Sequence, residues 1–345
     1  MMKGFLPGAV LLVFTLGLYS CSNTAASPDV QNPLTDTIVD NMEPASAPPA
    51  VQVLDTALFD LKLAHFVNGD TSGKWPAETV YPLPGAILPF KRIVAYYGNF
   101  YSKQMGILGE LPRDSMIARL MEEKAAWEKA DSLMEVQPAI HYIAVTAQQS
   151  PGKDGKYRLR MPFHQIDTAL SIAKEINAIV FLDIQVGLST LQEEIPQLEE
   201  YLKLPNVHLG IDPEFSMKDG QAPGKVVGYF EASDVNYAIE YLAKLVKEHN
   251  LPPKILILHR FTQRMVRDYQ NIKLRPEVQI VVHMDGWGEP AKKINTYKQF
   301  VYREPVQFTG FKIFYKNDLK PANSRLMKPE DLLKLKPAPI YIQYQ

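Results

Sequence analysis

Residues 179–212, IVFLDIQVGLSTLQEEIPQLEEYLKLPNVHLGID, contain two short apolar runs on either side of an amphipathic segment. The runs at 179–183 and 207–212 are rich in Ile, Val, Leu and Phe, which is typical of buried parallel strands. The segment 191–202 between them has the apolar spacing of a helix. This stretch therefore predicts one β–α–β unit of a parallel sheet.

The same alternation continues over residues 53–345, which we predict to form one domain. Further strand candidates are residues 92–96, 138–144, 254–259, 278–283, 310–314 and 339–344. Further helix candidates are residues 54–66, 115–132, 165–177, 235–248, 262–272, 291–302 and 329–335. Eight strands with intervening helices predict an α/β fold of the (β/α)8 TIM-barrel class. The sequence stops at the eighth strand, so we expect the last helix to be missing and the helix at 54–66 to cover that gap.

An open, doubly wound sheet is the competing architecture for such an alternation of strands and helices. Sheets of that kind that bind dinucleotides carry a G-x-G-x-x-G turn after a strand, and no strand candidate here is followed by one. The closed barrel is therefore the preferred prediction.

The N-terminus has the features of an export signal. Lys3 precedes an apolar run over residues 5–18, which is too short to span a membrane. The run ends in Leu18-Tyr19-Ser20-Cys21, which resembles the lipobox of bacterial lipoproteins. The resemblance implies removal of residues 1–20, lipidation of Cys21 and anchoring to a bacterial membrane. The alternative is an ordinary secretory signal in which this Cys is incidental.

Residues 21–52 are rich in Ala, Ser, Pro, Asn and Thr, which predicts a flexible tether between the anchor and the domain. The chain has a formal net charge of -1, so its overall charge does not favour nucleic acid as a partner. Cys21 is its only Cys, so no disulfide forms within the chain. The histidines show no recognised ligand spacing, and we therefore expect no metal and no cofactor.

Polar residues cluster at the carboxyl ends of the strand candidates, where barrels place their chemistry. The candidates are Tyr96, Tyr97, Asn99, His141, Asp183, Gln185, Asp212, Glu214, His259, His283, Asp285, Trp287, Lys312 and Gln343. Side chains alternate along a strand, so Asp212 and Glu214 are expected to face the barrel axis, as are His283 and Asp285. Several acids and two histidines thus converge on one end of the barrel.

Each of these residues also has a purely structural explanation. Asp183 suits a helix or turn cap, His259 and His283 suit hydrogen-bonded core positions, and Asp285 begins an Asp-Gly turn. Lys312 suits an interior ion pair with one of the acids. Their coincidence at strand ends is what favours a functional site.

Aromatic residues beside the acids, such as Tyr97 and Trp287, suit the binding of sugar rings. The segment 209–214 is similar to the strand-four acidic motif of chitinase-like barrels, although His208 and Gly210 stand where that motif has further acids. Residues 93–345 as a whole resemble an extracellular glycoside-hydrolase barrel. The resemblance implies a carbohydrate substrate and two catalytic carboxyl groups.

For such an enzyme we assign Glu214 as the acid and Asp285 or Asp212 as its partner, with Asp183 and His259 tuning them. Two alternatives remain open at this point. One is a metal-dependent hydrolase, since His259 and His283 echo the histidines of amidohydrolase-like barrels, although Gln343 stands at strand eight in place of an Asp. The other is a lipoprotein that binds glycans without catalysis.

Overall fold

Eight strands form the centre of the fold in the computed structural model, which describes residues 53–77 and 79–345. They are β1 (Lys91–Gly98), β2 (Glu135–Ala147), β3 (Ile179–Ile184), β4 (Val207–Ile211), β5 (Lys254–Arg260), β6 (Val278–Met284), β7 (Phe308–Ile313) and β8 (Tyr341–Tyr344). Each strand pairs in parallel with the next, and β8 pairs in parallel with β1. The eight predicted strands are confirmed, and the sheet is a closed parallel barrel consistent with a TIM barrel.

Three of the predictions made from the sequence concern the N-terminal region. The signal peptide at 1–20, the tether at 21–52 and the lipidation site Cys21 all lie outside the described residues. Within the described part of the chain, no helix combines the length and the apolar character needed to cross a membrane.

Helices lie between most consecutive strands of the barrel. They are α1 (Thr56–Val67), α2 (Ile107–Glu110), α3 (Arg113–Ala130), α4 (Phe163–Glu175), α5 (Leu191–Glu194), α6 (Glu199–Leu202), α7 (Ala232–His249), α8 (Pro290–Tyr297) and α9 (Pro329–Leu332). The most regular is α7, in which Glu231 and Asp234 form a capping box and Asn250 ends the helix in the left-handed conformation.

The predicted helix at 262–272 is wrong. This segment forms two 3₁₀ turns, Gln263–Met265 and Tyr269–Asn271, on either side of the short strand Val266–Arg267. That strand pairs with Phe230–Glu231, which precedes α7. Asp268 has φ of 53°, a left-handed conformation that the interior of a right-handed helix does not accommodate.

The position predicted for the helix at 54–66 needs correction. α1 places Phe59, Leu63 and Phe66 in one apolar cluster with the inward-facing residues of the lower barrel, including Phe181 and Ile257. The Phe66 carbonyl accepts a hydrogen bond from the Ala338 amide, just before β8. α1 therefore closes the amino-terminal end of the barrel. The outer side of β8 is instead covered by α3, whose Trp127 donates a 2.9 Å hydrogen bond to the Tyr344 hydroxyl.

Strand alternation separates two layers of core. Outward-facing residues such as Leu182, Leu209 and Leu258 pack against the helices. Inward-facing residues are mostly apolar in the lower half of the barrel, with His208 and Gln279 as exceptions, and become polar toward the carboxyl ends, from Phe181 to Asp183 in β3 and from Ile257 to His259 in β5. The carboxyl end of the barrel thus carries the polar side chains.

Replacing Phe59 by Ala should destabilise the domain by about 3–5 kcal/mol, because it opens a cavity where α1 closes the barrel. Phe59 is 0% exposed, whereas Leu61 on the same helix is 66% exposed. Leu61→Ala is the matched control and should change stability by less than about 0.5 kcal/mol. Denaturant unfolding of both variants measures the difference, and equal stabilities would contradict the packing of α1.

Candidate functional site

A cavity of about 670 Å³ opens at the carboxyl end of the barrel. Seven of the residues singled out from the sequence line it, namely Tyr97, Gln185, Asp212, Glu214, Asp285, Trp287 and Lys312. Phe215, Phe261 and Phe314 add aromatic surface. The cavity thus combines carboxyl groups, a cation and aromatic rings, which is the combination expected of a binding or catalytic cleft.

The carboxyl groups of β4 reach the cleft through strand alternation and a local turn. Leu209 and Ile211 face the helices, so Asp212 faces the barrel axis. Asp212 Oδ1 accepts a 3.0 Å hydrogen bond from the Glu214 amide at the start of the 3₁₀ turn Pro213–Phe215. This contact fixes the turn from which Glu214 reaches the cavity.

Asp183 lies at the base of the cleft and is completely buried. Its Oδ2 accepts a 2.9 Å hydrogen bond from the Tyr97 hydroxyl, and its Oδ1 lies 3.3 Å from His141 Nε2. His259 Nε2 lies 3.4 Å from the same Oδ1, close enough for an ion pair but without the direction of a hydrogen bond. Burial alone would raise the pKa of Asp183, but the charge of His259 and the hydrogen bond with His141 outweigh burial and hold this pKa far below its ordinary value.

Asp285 lies on one side of the cleft, where it is paired with two basic side chains, His259 and Lys312. Its Oδ2 lies 2.7 Å from His259 Nδ1, and its Oδ1 lies 2.9 Å from Lys312 Nζ. Burial alone would raise the pKa of Asp285, but Lys312 and His259 hold it well below its ordinary value. Burial alone would lower the pKa of His259, but Asp183 and Asp285 raise it to about 10. Asp285 is therefore an ionised carboxylate that borders the cavity.

The pKa values of Glu214 and Asp212 are shifted in the opposite direction, upward. Burial, together with the negative charge of Asp285, raises the pKa of Glu214 to about 7. Burial also raises the pKa of Asp212 well above its ordinary value, and the charge of Glu214 adds to the effect. In the described part of the chain Asp212 forms no ion pair. The cleft therefore holds an ionised carboxylate opposite carboxyl groups that favour the protonated state.

Five predicted site residues are completely buried and are absent from the cavity lining: His141, Asp183, His259, His283 and Gln343. His141 Nδ1 lies 2.5 Å from the Tyr341 hydroxyl and 3.1 Å from Gln343 Nε2. Burial lowers the pKa of His141 to about 4, so its ring is neutral near pH 7. These side chains support the cleft from within the barrel.

Two predicted site residues do not reach the cleft. Tyr96 belongs to the outer face of β1, where its hydroxyl lies 3.0 Å from that of Tyr315. Adjacent residues on a strand face opposite sides, so Tyr97 points inward while Tyr96 points outward. Asn99 is buried and donates a 3.1 Å hydrogen bond to the Ile143 carbonyl. Both residues therefore have structural positions.

Phe314 and Tyr341 belong to the site but are not among the residues predicted from the sequence. Phe314 lines the cavity two residues after Lys312, and Tyr341 lies two residues before Gln343 inside the barrel. The same period of two that identified Lys312 and Gln343 indicates both residues. Two groups of side chains also have the composition of a metal site, His141/Asp183/His259 and His259/His283/Asp285, with donor atoms within 4.8 Å of one another in each group.

Comparison with known proteins gives no family for this chain. No protein-family profile matches it, and no curated protein is detectably similar to it in sequence.

Gly210 is required by the contacts of Asp183. A Cβ atom at this position would lie 2.3 Å from Asp183 Oδ1 and 2.5 Å from His141 Nε2. Both neighbours are completely buried, so neither can move away. A glycine where chitinase-like barrels have an acid is thus explained by the space that the Asp183–His141 pair occupies.

Gly210→Ala should therefore destabilise the domain by about 1–3 kcal/mol, the usual cost of overpacking a buried site. The matched control is Gly286→Ala at the end of β6, where a Cβ would meet its nearest neighbour at 3.4 Å, an ordinary contact. Thermal unfolding of both variants provides the measurement. If the two variants unfold at the same temperature, the close packing around Asp183 is refuted.

Proposed function

We propose that this protein is a cell-envelope lipoprotein whose barrel, of the (β/α)8 TIM class, hydrolyses glycosidic bonds. One observation carries the proposal. Glu214 and Asp285 line the same cleft, with Glu214 favouring the protonated state and Asp285 held ionised by Lys312 and His259. A protonated acid and an ionised carboxylate on either side of the scissile bond are the groups that glycoside hydrolysis requires.

In this mechanism Glu214 donates its proton to the oxygen of the leaving sugar. Asp285 acts as the second carboxylate, either activating water or attacking the sugar carbon. β5 separates β4 from β6 in the barrel, which leaves room for a water molecule and favours inversion of configuration. Lys312 and His259 hold the two oxygens of Asp285 and are positioning residues.

The remaining surface of the cleft suits a carbohydrate. Trp287 is 45% exposed and presents its ring at the cleft, while Phe215 and Phe261 lie on other parts of the lining. Sugar rings stack their C–H faces on aromatic surfaces, and their hydroxyl groups pair with carboxyl and amide groups such as those of Asp212 and Gln185. These features support a glycan as the ligand.

Glu214→Gln and Asp285→Asn should each lower kcat by about 10²- to 10⁴-fold, because each removes one of the two proton-transfer or nucleophilic groups. Asp219→Asn, an exposed acid on the loop after β4, is the control and should keep full activity. Hydrolysis of a panel of bacterial and plant glycans measures all four proteins. Full activity in both site variants would remove these residues from the mechanism.

The pH dependence of the wild type provides a second measurement in the same experiment. Glu214 must be protonated to act as an acid, so activity should fall as the pH rises through about 7. The charged and titratable groups around it are Tyr97, Asp183, Asp212, His259, Asp285 and Lys312. Glycan affinity without hydrolysis by the wild type would instead favour a glycan-binding protein.

The lipid anchor rests on the sequence around Cys21. Cys21→Ala should release the protein from the membrane fraction while leaving the domain folded, because no helix of the described chain is suited to cross a membrane. Fractionation and immunodetection in a bacterial host give the result, with Ser22→Ala as the control. A Cys21→Ala protein that stays in the membrane fraction after a salt wash contradicts the anchor.

A further inference from the structure

Three donor atoms from three different strands meet below the cleft. His141 Nε2 of β2 and His259 Nε2 of β5 lie 3.3 Å and 3.4 Å from Asp183 Oδ1 of β3. All three donor atoms lie within 4.8 Å of one another, and all three side chains are completely buried. We refer to His141, Asp183 and His259 as the buried triad.

The distances within the buried triad exceed those of good hydrogen bonds between a ring nitrogen and a carboxylate. Such bonds are usually about 2.7–3.2 Å long. In a tetrahedral zinc site with metal–ligand bonds of about 2.0–2.1 Å, neighbouring ligand atoms are about 3.3–3.4 Å apart. Both separations around Asp183 Oδ1 match this spacing.

An unsatisfied nitrogen in the buried triad is the second observation. His259 Nε2 is buried and makes no hydrogen bond with any described residue. Buried polar atoms without partners are rare, and a bound ion is one of the recognised explanations. In the metal-free protein His259 is cationic, so a metal ion next to Asp183 Oδ1 would bind this nitrogen by displacing its proton.

Each member of the buried triad has an outer hydrogen-bond partner, as metal ligands in proteins usually do. His259 Nδ1 lies 2.7 Å from Asp285 Oδ2, and Asp183 Oδ2 accepts a 2.9 Å hydrogen bond from Tyr97. His141 Nδ1 contacts Tyr341 and Gln343. The carboxylate–histidine pair of Asp285 and His259 is the outer-shell arrangement typical of zinc sites.

The amide of Gln343 determines which nitrogen of His141 is available. Its Nε2 lies 3.1 Å from His141 Nδ1, and its Oε1 has no hydrogen-bond partner among the described residues. Rotation of this amide by 180° gives Oε1 a donor, the Nδ1–H of His141, and leaves the Nε2 lone pair of His141 directed at Asp183. In that arrangement His141 presents an unprotonated nitrogen to the site, whereas His259 Nε2 would lose its proton when the metal binds.

We propose that His141 Nε2, Asp183 Oδ1 and His259 Nε2 bind one divalent transition-metal ion, with zinc as the preferred metal. Two imidazoles and one carboxylate form a donor set that zinc favours. The second group, His259/His283/Asp285, is less suitable because the Lys312 ammonium lies 2.9 Å from Asp285 Oδ1 and repels a cation. Each ligand belongs to a different strand, so the three ligands have no recognised spacing along the chain. The sequence therefore predicted no metal.

The test uses the purified full-length protein, stripped of metal with a chelator and titrated with Co²⁺. Cobalt in a tetrahedral site gives strong visible absorption, and zinc should displace it at one equivalent per chain. Elemental analysis of the zinc-loaded protein measures the stoichiometry, and unfolding with and without zinc measures the stabilisation that binding to the native state produces.

Asp183→Asn keeps the shape of the side chain and should weaken zinc binding by more than about 100-fold. His208→Gln is the matched control and should leave zinc binding unchanged, because His208 is also buried in the barrel but belongs to neither donor group; its Nδ1 accepts a 3.1 Å hydrogen bond from the Ile255 amide. Equal zinc affinity of Asp183→Asn and the wild type would overturn the proposal. If Asp183→Asn does not fold, the wild type decides, since a wild type without a tetrahedral cobalt spectrum overturns the proposal equally.

Discussion

Asp183 places an ionised carboxylate in the centre of the barrel, where none of its side chain is exposed. An unpaired charge in such a position is very costly, so the strands around it must supply partners. Tyr97 from β1, His141 from β2 and His259 from β5 do so. Gly210 from β4 contributes by having no side chain. The contacts of this one carboxylate thereby constrain the register of the strands around it.

The protonation states of the carboxyl groups in and below the cleft follow from how the surrounding charges are distributed. His259 touches both Asp183 and Asp285, and Lys312 adds a second cation on the Asp285 side. Asp212, which is buried, and Glu214, which is half-buried, lie next to negative charge. Two pairs of similar carboxyl groups therefore have opposite pKa shifts, and the asymmetry arises from position alone.

The two ends of the barrel differ in the side chains that they carry. At the amino-terminal end, α1 seals an apolar interior that includes Phe181 and Ile257. At the carboxyl end, the same strands carry Asp183 and His259 two residues later. Burial of the mostly apolar lower half stabilises the barrel and thereby keeps the polar side chains of the upper half in position. Polar side chains alone supply little stabilisation on burial.

The order of the eight strands and the residues that face inward can be read from the amino-acid sequence. The reason is local, because buried parallel strands are short apolar runs and their side chains alternate with a period of two. The same rule assigns Tyr97, Asp212 and Lys312 to one cleft. Tyr96 lies near the end of its strand, as the cleft residues do. Its side chain nevertheless faces outward, because it alternates with Tyr97.

Tertiary structure decided the features that depend on contacts between distant segments. The segment 262–272 has helical composition, yet Val266–Arg267 pairs with Phe230–Glu231 and Asp268 turns the chain. α1 could be recognised as a helix, but only packing placed it under the barrel. The contacts among His141, Asp183 and His259 join three strands, and no spacing along the chain encodes them. Burial and neighbouring charges set their ionisation, and both exist only once the barrel has closed.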